Sequence, residues 1–410
     1  MPSTPAANST RAVWPMLLAL TAAFAMSQAF RTLAAILGPP LQAEFGLSAQ
    51  QLGLFAATFH FAFGALQLFM GIGMDLHGLR RTVLTAFPFA VLGAALSAMA
   101  TGNGMLLVGQ FLIGIGCAPA FLACTLFIAQ NFPAERFAML SGLIIMLGGV
   151  GMLATGTPLA WLIEASSWRM GMWVLAGCSL AAWALVWWKV HDQGPTAPPG
   201  APRESLGQAL RSFGALFLMP HTWGIVAMSS VNYAAFLSLR GLWLGPMLIE
   251  RHGLGLVASG HVALLVSVVS LVSPPLFGRF DPGPLTRRRR ITACTLWIAG
   301  LFVLLAVVRG LAADVLLAVL VAAVSGYMVL QYADVRAVYP PAMIGRALAV
   351  FTMAMFLGVA LMQWVTGWVA SRAPAWGIEP FTAALLAIAA ALVAGAAAYA
   401  WLPQPPAPAT

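Results

Sequence analysis

The fold class predicted is an all-α polytopic membrane protein, with twelve transmembrane helices in two pseudo-symmetric six-helix bundles. Three observations predict it. Apolar residues fill 61% of 410 positions and charged residues 8%, and apolar windows of about 18 to 25 residues, enough to cross a bilayer as a helix, cover most of the chain. Basic residues collect on alternate connections between those windows. Short phrases recur in the two halves.

Breakers and charges delimit the windows in order. The first, 13–36, ends at Gly38-Pro39-Pro40, and the second, 50–74, stops at Asp75. The third, 82–100, follows Arg80-Arg81, and the fourth, 104–128, ends before Asn131-Phe132-Pro133. The fifth, 138–163, follows Glu135-Arg136, and the sixth, 169–190, begins at Arg169. The one long polar interval, "HDQGPTAPPGAPRESLGQALRS" at 191–212, is rich in Pro and Gly and reads as a cytoplasmic linker between bundles at 1–190 and 213–410. The seventh window, 220–248, opens at Pro220, and the eighth, 255–278, precedes "DPGP". The ninth, 291–308, follows "LTRRRR", and the tenth, 313–335, ends before Tyr339-Pro340-Pro341. The eleventh, 347–371, and the twelfth, 380–402, flank "RAPAWGIEP". The first window is too long and too poorly flanked for a cleaved signal peptide, so it is expected to be retained.

With the N-terminus in the cytoplasm, fourteen Lys and Arg residues fall on the cytoplasmic side, among them Arg11, Arg80, Arg81, Arg136, Lys189, Arg203, Arg211, Arg279, Arg287 to Arg290, Arg336 and Arg346. Only Arg169, Arg251, Arg309 and Arg372 face the other way. The net charge of +9 is therefore topological. No nucleic-acid partner is expected, and "LTRRRR" reads as a stop-transfer loop rather than a phosphate patch. Both termini are expected in the cytoplasm, in a multi-pass protein of the inner membrane. Cys117, Cys124, Cys178 and Cys294 fall within helices without metal-ligand spacing, so neither a metal nor another cofactor is expected.

The halves echo each other. "GPPLQAEFGL" from Gly38 returns as "GPMLIERHGL" from Gly245, and "FPAERFAML" as "YPPAMIGRALA". Such repeats suggest secondary transporters, whose sites lie between the halves near the midplane.

The loop after the second window reads "GIGMDLHGLRR". Asp75 can cap and charge a helix end, Gly78 permits a tight turn, and Arg80 and Arg81 can pair with Asp75 or with helix C-termini. From Gly71 onward it resembles the signature loop of the major facilitator superfamily. A degraded copy, "FGRFDPGPLTRRRR", stands in the second half, and "NFPAER" and "SWRMGMW" look like further members of that pattern. The resemblance covers nearly the whole chain and implies alternating access by rocking of two bundles in the major facilitator fold. Many proton-driven drug exporters of the superfamily carry an Arg on helix four, where this chain has Gln110, and the antiporter Gly-Pro pair on helix five is missing.

From Arg31 the chain also looks like the anion:cation symporter branch, with Leu41, Phe45, Gly46, Leu47, Gly53 and Gln67 as counterparts. That branch carries sugar acids and related organic anions, and its helix-one Arg, here Arg31, is expected to bind the anionic group. The residues support this independently. A charged side chain in a transmembrane helix is costly unless it faces protein or water. Arg31 shares a polar face with Ser27 and Gln28, and Arg240 one with Tyr233, Asn232 and Ser229. Two guanidinium groups facing one cavity would attract a carboxylate or phosphate, which each can bind bidentately. Either arginine could instead snorkel to the interface or pair with a helix end.

The coupling ion is expected to be a proton. Related symporters place an acid beside the helix-one Arg, where this chain has Phe30. The coupling candidates are Asp334, which shares a face with Gln331 and Tyr327, and His60, near the middle of the second window. Asp334 can equally pair with Arg336 or a neighbouring loop Arg, and His60 can be a packing residue. His261 is a weaker candidate. His60, Tyr327, Gln331 and Gln363 join the candidate substrate-binding residues, and Gln363 and Trp364 could line the second-half cavity. The expected function is secondary transport of a small organic anion by a monomer in the lipid bilayer, not enzymatic. The alternative is export of a drug-like or other hydrophobic solute. A sensor or membrane enzyme would need an output domain or catalytic cluster, and neither is present in the sequence.

Overall fold

The computed structural model describes residues 8–191, 213–340 and 343–403. The expected linker at 191–212, with Arg203 and Arg211, and the side chains of Arg11 and Asp75 fall outside the described residues. Twelve helices are long and apolar enough to cross a membrane. They are α1 (Val13–Arg31), α2 (Ala49–Met74), α3 (Leu79–Ala98), α4 (Asn103–Asn131), α5 (Met139–Ala165), α6 (Trp168–Lys189), α7 (Pro220–His252), α8 (Leu256–Arg279), α9 (Thr286–Val307), α10 (Leu311–Val338), α11 (Ile344–Trp376) and α12 (Pro380–Trp401). The first six make an N-bundle and the last six a C-bundle. We call the end carrying the α1–α2, α5–α6, α7–α8 and α11–α12 connections the odd-loop side, and the opposite end the even-loop side.

Two expectations need correction. The first helix does not end at Gly38-Pro39-Pro40. It is interrupted at Thr32–Leu33 and resumes as Ala34–Phe45, with both prolines inside. Pro39 cannot donate to the Ala35 carbonyl, and α7 lies against that carbonyl at Gly245, where any Cβ would collide. "LTRRRR" is not a loop, because the helix begins at Pro284 and carries all four arginines. Pro at the first helical position gives up no hydrogen bond.

The sequence repeat is a backbone repeat. Gly46 and Gly253 both end a helix in the left-handed conformation, at φ 63° and 66°. Gly78 and Gly283 both open the next helix at φ 83° and 81°. Laying Gly38 on Gly245 sets the Thr32 interruption opposite Leu239, where α7 has a π-helical turn, Leu239–Trp243. Another matched pair of breaks lies at Ala118–Pro119 in α4 and Gly326–Tyr327 in α10. Interrupted helices at mid-membrane depth free backbone groups where they can line a site.

The bundles meet closely on the odd-loop side along two flanks. On one, Gly53 of α2 lies against Gly367 of α11, and the Gln50 N–H donates to Ser371 Oγ at 2.7 Å. On the other, Gly156 of α5 lies against Gly260 of α8, Thr157 Oγ1 hydrogen-bonds His261 Nδ1 at 2.7 Å, and the Val257 N–H donates to Glu164. Nearer the even-loop side, α2 and α11 leave between them an apolar cavity of about 190 Å³, bounded by Leu68, Val350, Met353, Phe213 and Phe217.

Ion pairs tie down the odd-loop connections within each bundle. Arg169 pairs with Glu44 at 2.6 Å in the N-bundle. In the C-bundle Arg251 bridges Asp314 and Glu379, and Arg309 also reaches Glu379. Burial pushes the Glu379 carboxyl up, but hydrogen bonds from Arg251, Thr382 and Arg309 outweigh it and hold it at about 2, below the ordinary 4.5. Because the folded value is depressed, this contribution to stability is complete above about pH 4.5 and disappears as pH falls towards 2. The melting temperature of the detergent-solubilised protein is expected to fall through that window, and more shallowly in Glu379→Gln. Equal slopes would place the acid sensitivity elsewhere.

Candidate functional site

Arg31 is the last residue of α1 before the interruption, and it is buried. Its guanidinium lies between two ring faces, with Cζ 4.7 Å from the centroid of Phe63 on α2 and 4.7 Å from that of Phe356 on α11. One ring belongs to each bundle. Such contacts contribute about 0.5 to 2 kcal/mol each and leave the edge of the guanidinium free. On that edge Nη2 donates to Ser27 Oγ at 3.3 Å, while Nε has no partner in the protein.

Around this cation the structure gathers several of the expected residues. His60 stacks on the Phe356 ring, nearly parallel, and Gln363 lies beside it. Tyr233 meets Phe356 edge-on, with ring centroids 5.7 Å apart. Among the described residues, His60 Nε2 and both amide atoms of Gln363 make no well-formed hydrogen bond; the same holds for both amide atoms of Asn232 on α7 and for Gln28 Oε1 on α1, whose Nε2 reaches Met152 Sδ. Buried polar atoms are otherwise paired almost throughout folded proteins, so this concentration marks a polar ligand site.

Arg240 is fully buried and takes a different direction. It donates from Nε to Ser267 Oγ on α8 at 2.8 Å, and from Nη2 to the Met152 carbonyl on α5 at 3.2 Å. The expectation that both arginines face one cavity is therefore replaced by a symmetric arrangement. Arg31 inserts between α2 and α11, and Arg240 between the pseudo-equivalent α8 and α5. The backbones still touch there, since Gly241 lies against the Arg31 carbonyl.

Tyr327, Gln331 and Asp334 are placed apart from Arg31. Tyr327 hydrogen-bonds Thr295 on α9 at 2.6 Å. Asp334 accepts from Tyr399 on α12 at 2.6 Å and lies 3.7 Å from Arg288, a basic neighbour on α9 rather than Arg336. Gln331 is buried with Nε2 unpartnered. Beyond the α10 break Tyr332 meets Phe351 of α11 edge-on, with ring centroids 4.7 Å apart, within electrostatic reach of Tyr233 and Arg31. Sequence reasoning missed Tyr332, Phe63 and Phe356, and it missed His261 as a cross-bundle contact. Trp364 faces outward and is exposed, whereas Gln363 is buried.

In the motif loop, Gly78 makes the turn, while a Cβ at Gly71 would meet Leu122 of α4 only at ordinary contact distance. Arg80 caps the end of α6, donating to the carbonyls of Val190 at 2.6 Å and Trp187 at 3.1 Å, as expected for a helix C-terminus. Arg81 continues the same helix start. In the second-half copy Arg287 pairs with Asp281 at 2.6 Å, which keeps that carboxyl below its ordinary range.

Comparison with known proteins agrees with this architecture. The chain is similar to the hexuronate transporter of Bacillus subtilis, at 22% identity over 63% of this chain and 62% of that protein. It is also similar to a D-galactonate transporter of Escherichia coli, at 27% identity over 42% and 40%. The matched stretches thus span less than two thirds of either relative. In fold it resembles the nucleoside transporter NupG, with a TM-score of 0.75 at 17% identity over 95% of this chain and 98% of that one. The model of the Major Facilitator Superfamily matches residues 19–283, from within α1 to the loop after α8. A match that crosses from the first half of the repeat into the second makes this chain a member of the major facilitator superfamily.

Proposed function

We propose that this protein moves a small hydroxylated organic anion, a carboxylate, across the membrane together with a proton. Arg31 binds the carboxylate. The observation that carries this reading is the guanidinium held between Phe63 and Phe356 with its Nε unpartnered and only Ser27 on its edge. A carboxylate can take that edge, and the unpartnered atoms of Gln363, Asn232 and Gln28 suit hydroxyl groups. The two relatives named for sugar acids support the same class. A drug-like apolar solute would leave those atoms buried and unpaired, at about 1 to 3 kcal/mol each.

The bundles at 1–190 and 213–410 rock about the 191–212 linker, while the motif loop around Gly71, Asp75, Gly78, Arg80 and Arg81 governs the even-loop side. Charge bias puts that side in the cytoplasm of a cell with this protein in its inner membrane, as a monomer with both termini inside. The described conformation is then closed outward. Uptake into proteoliposomes tests the reading, with galactonate, a hexuronate, an amine and a nucleoside, each with and without an inward proton gradient. Anions are expected to accumulate several-fold with the gradient. Movement of amine or nucleoside, with anions neither moving nor competing, would sink it.

A further inference from the structure

Arg31 has no carboxylate neighbour among the described side chains. Asp334 is engaged by Tyr399 and Arg288 inside the C-bundle, and Asp314 by Arg251 and His252 on the odd-loop side. Glu44, Asp281 and Glu379 belong to loop ion pairs, Glu164 accepts the Val257 N–H at the gate, and Glu250 stands two residues before the odd-loop end of α7. Among the described side chains, a proton carried beside Arg31 needs a group other than these acids.

His60 has the required geometry. It sits in the middle of α2 and is buried. Nδ1 lies 3.0 Å from the Ala56 carbonyl, which can only accept, so Nδ1 carries the hydrogen. Nε2 is then an acceptor that makes no well-formed hydrogen bond, with the Gln363 side chain within reach of the ring. The ring stacks on Phe356, the same ring that one face of the Arg31 guanidinium covers. Arg31 acts on His60 electrostatically, and Gln363 lies alongside across the bundle interface. The other titratable groups around this pair are Tyr233 of α7, Tyr332 of α10 and Cys117 of α4. α11 presents Phe356 and Gln363 there, neither of them titratable.

We propose that His60 is the coupling-proton site, its Nε2 taking a proton once a carboxylate has neutralised Arg31. The inference rests on the anion-transporter reading above. With Arg31 uncompensated, a second positive charge on His60 is opposed first by burial and then by Arg31 itself. A bound carboxylate cancels the first charge and lets Nε2 accept a proton from the side to which the site is open. On the opposite side the imidazolium returns the proton to water and the carboxylate leaves Arg31. One monoanion and one proton cross together, so the cycle moves no net charge. Histidine thereby replaces an acid as carrier, and Arg31 makes each ligand conditional on the other.

The test uses the full-length protein with galactonate and a hexuronate as probes. In detergent with a pH-indicator dye, the wild type is expected to take up about one proton per anion bound, and His60→Gln none. In proteoliposomes, wild-type uptake is expected to ignore an imposed membrane potential, whereas any residual uptake by His60→Gln responds to it. Should His60→Gln bind no probe, the ¹⁵N signal of His60 in the wild type decides, since adding galactonate must convert Nε2 from bare to protonated. Proton uptake that persists in His60→Gln, or an Nε2 signal unmoved by galactonate, overturns the proposal. If the wild type neither binds nor moves any anion, the transport reading fails first and the proton site falls with it.

Discussion

Replacing Arg31 with lysine is expected to lower anion transport by about tenfold to a hundredfold, although the charge is retained. A charge-assisted hydrogen bond is worth about 1.5 to 3 kcal/mol, and each 1.4 kcal/mol is a factor of about ten. Lysine keeps a positive point but loses the planar fork, so a carboxylate keeps one contact at best. It also loses the flat faces that fit between Phe63 and Phe356, whose rings hold the guanidinium from both bundles. Arg31→Ala should fall further. Initial uptake rates and half-saturation concentrations in proteoliposomes measure the effect, with thermal unfolding as the control for folding. Lysine within twofold of wild type would make Arg31 an interface anchor instead of a ligand.

A valine at Gly53 is expected to reduce transport to background by holding the odd-loop side open. A Cβ at Gly53 would stand 2.5 Å from the Gln363 carbonyl oxygen and 2.9 Å from the Gly367 Cα. Both are backbone atoms, so no side chain can swing aside. The bundles can relieve that clash by parting along the α2–α11 flank, which is the opening motion itself. The expected signature is therefore opposite in two assays. Uptake disappears, while a cysteine introduced at Ser371, the partner of Gln50 at the same flank, reacts faster with a membrane-impermeant maleimide. Gly260→Val should act in the same direction from the α5–α8 flank, where a Cβ already lies 3.1 Å from Ala160. Normal transport by Gly53→Val would show that the flank does not need to close.

How much of this was legible in the sequence depends on the range over which each residue acts. Gly46, Gly78, Gly253 and Gly283 dictate their own backbone, so the repeated loops were readable and recur at nearly equal φ. Arg31 was readable because a cation in an apolar helix is costly wherever it stands. Its partners were not, because Phe63, Phe356 and Tyr332 come from three other spans and resemble ordinary core aromatics in sequence. The α10 face was misread for a local reason. Counting through Gly326 and Tyr327 as unbroken helix grouped Tyr327, Gln331 and Asp334 towards the cavity. The interruption there leaves Tyr327 and Asp334 facing α9 and α12, and Tyr332 within electrostatic reach of Arg31. Pro39 and Pro40 misled for a related reason, since the carbonyl that Pro39 leaves bare is met by a neighbouring span.

Arg240 gives the resting carrier a preferred direction. Its Nη2 is satisfied by the Met152 carbonyl of the opposite bundle, which also accepts from Thr155 Oγ1. Thr155 in turn hydrogen-bonds Thr32 at the α1 interruption, at 2.7 Å. When the gate opens, the Met152 carbonyl keeps its hydroxyl donor from Thr155. Arg240 keeps only Ser267, as a fully buried guanidinium whose Nη1 already has no partner among the described residues. The unloaded protein should therefore idle with its odd-loop gate shut, opening that side only as often as water can reach one arginine. That asymmetry throttles futile cycling, because slippage must first strand a charge.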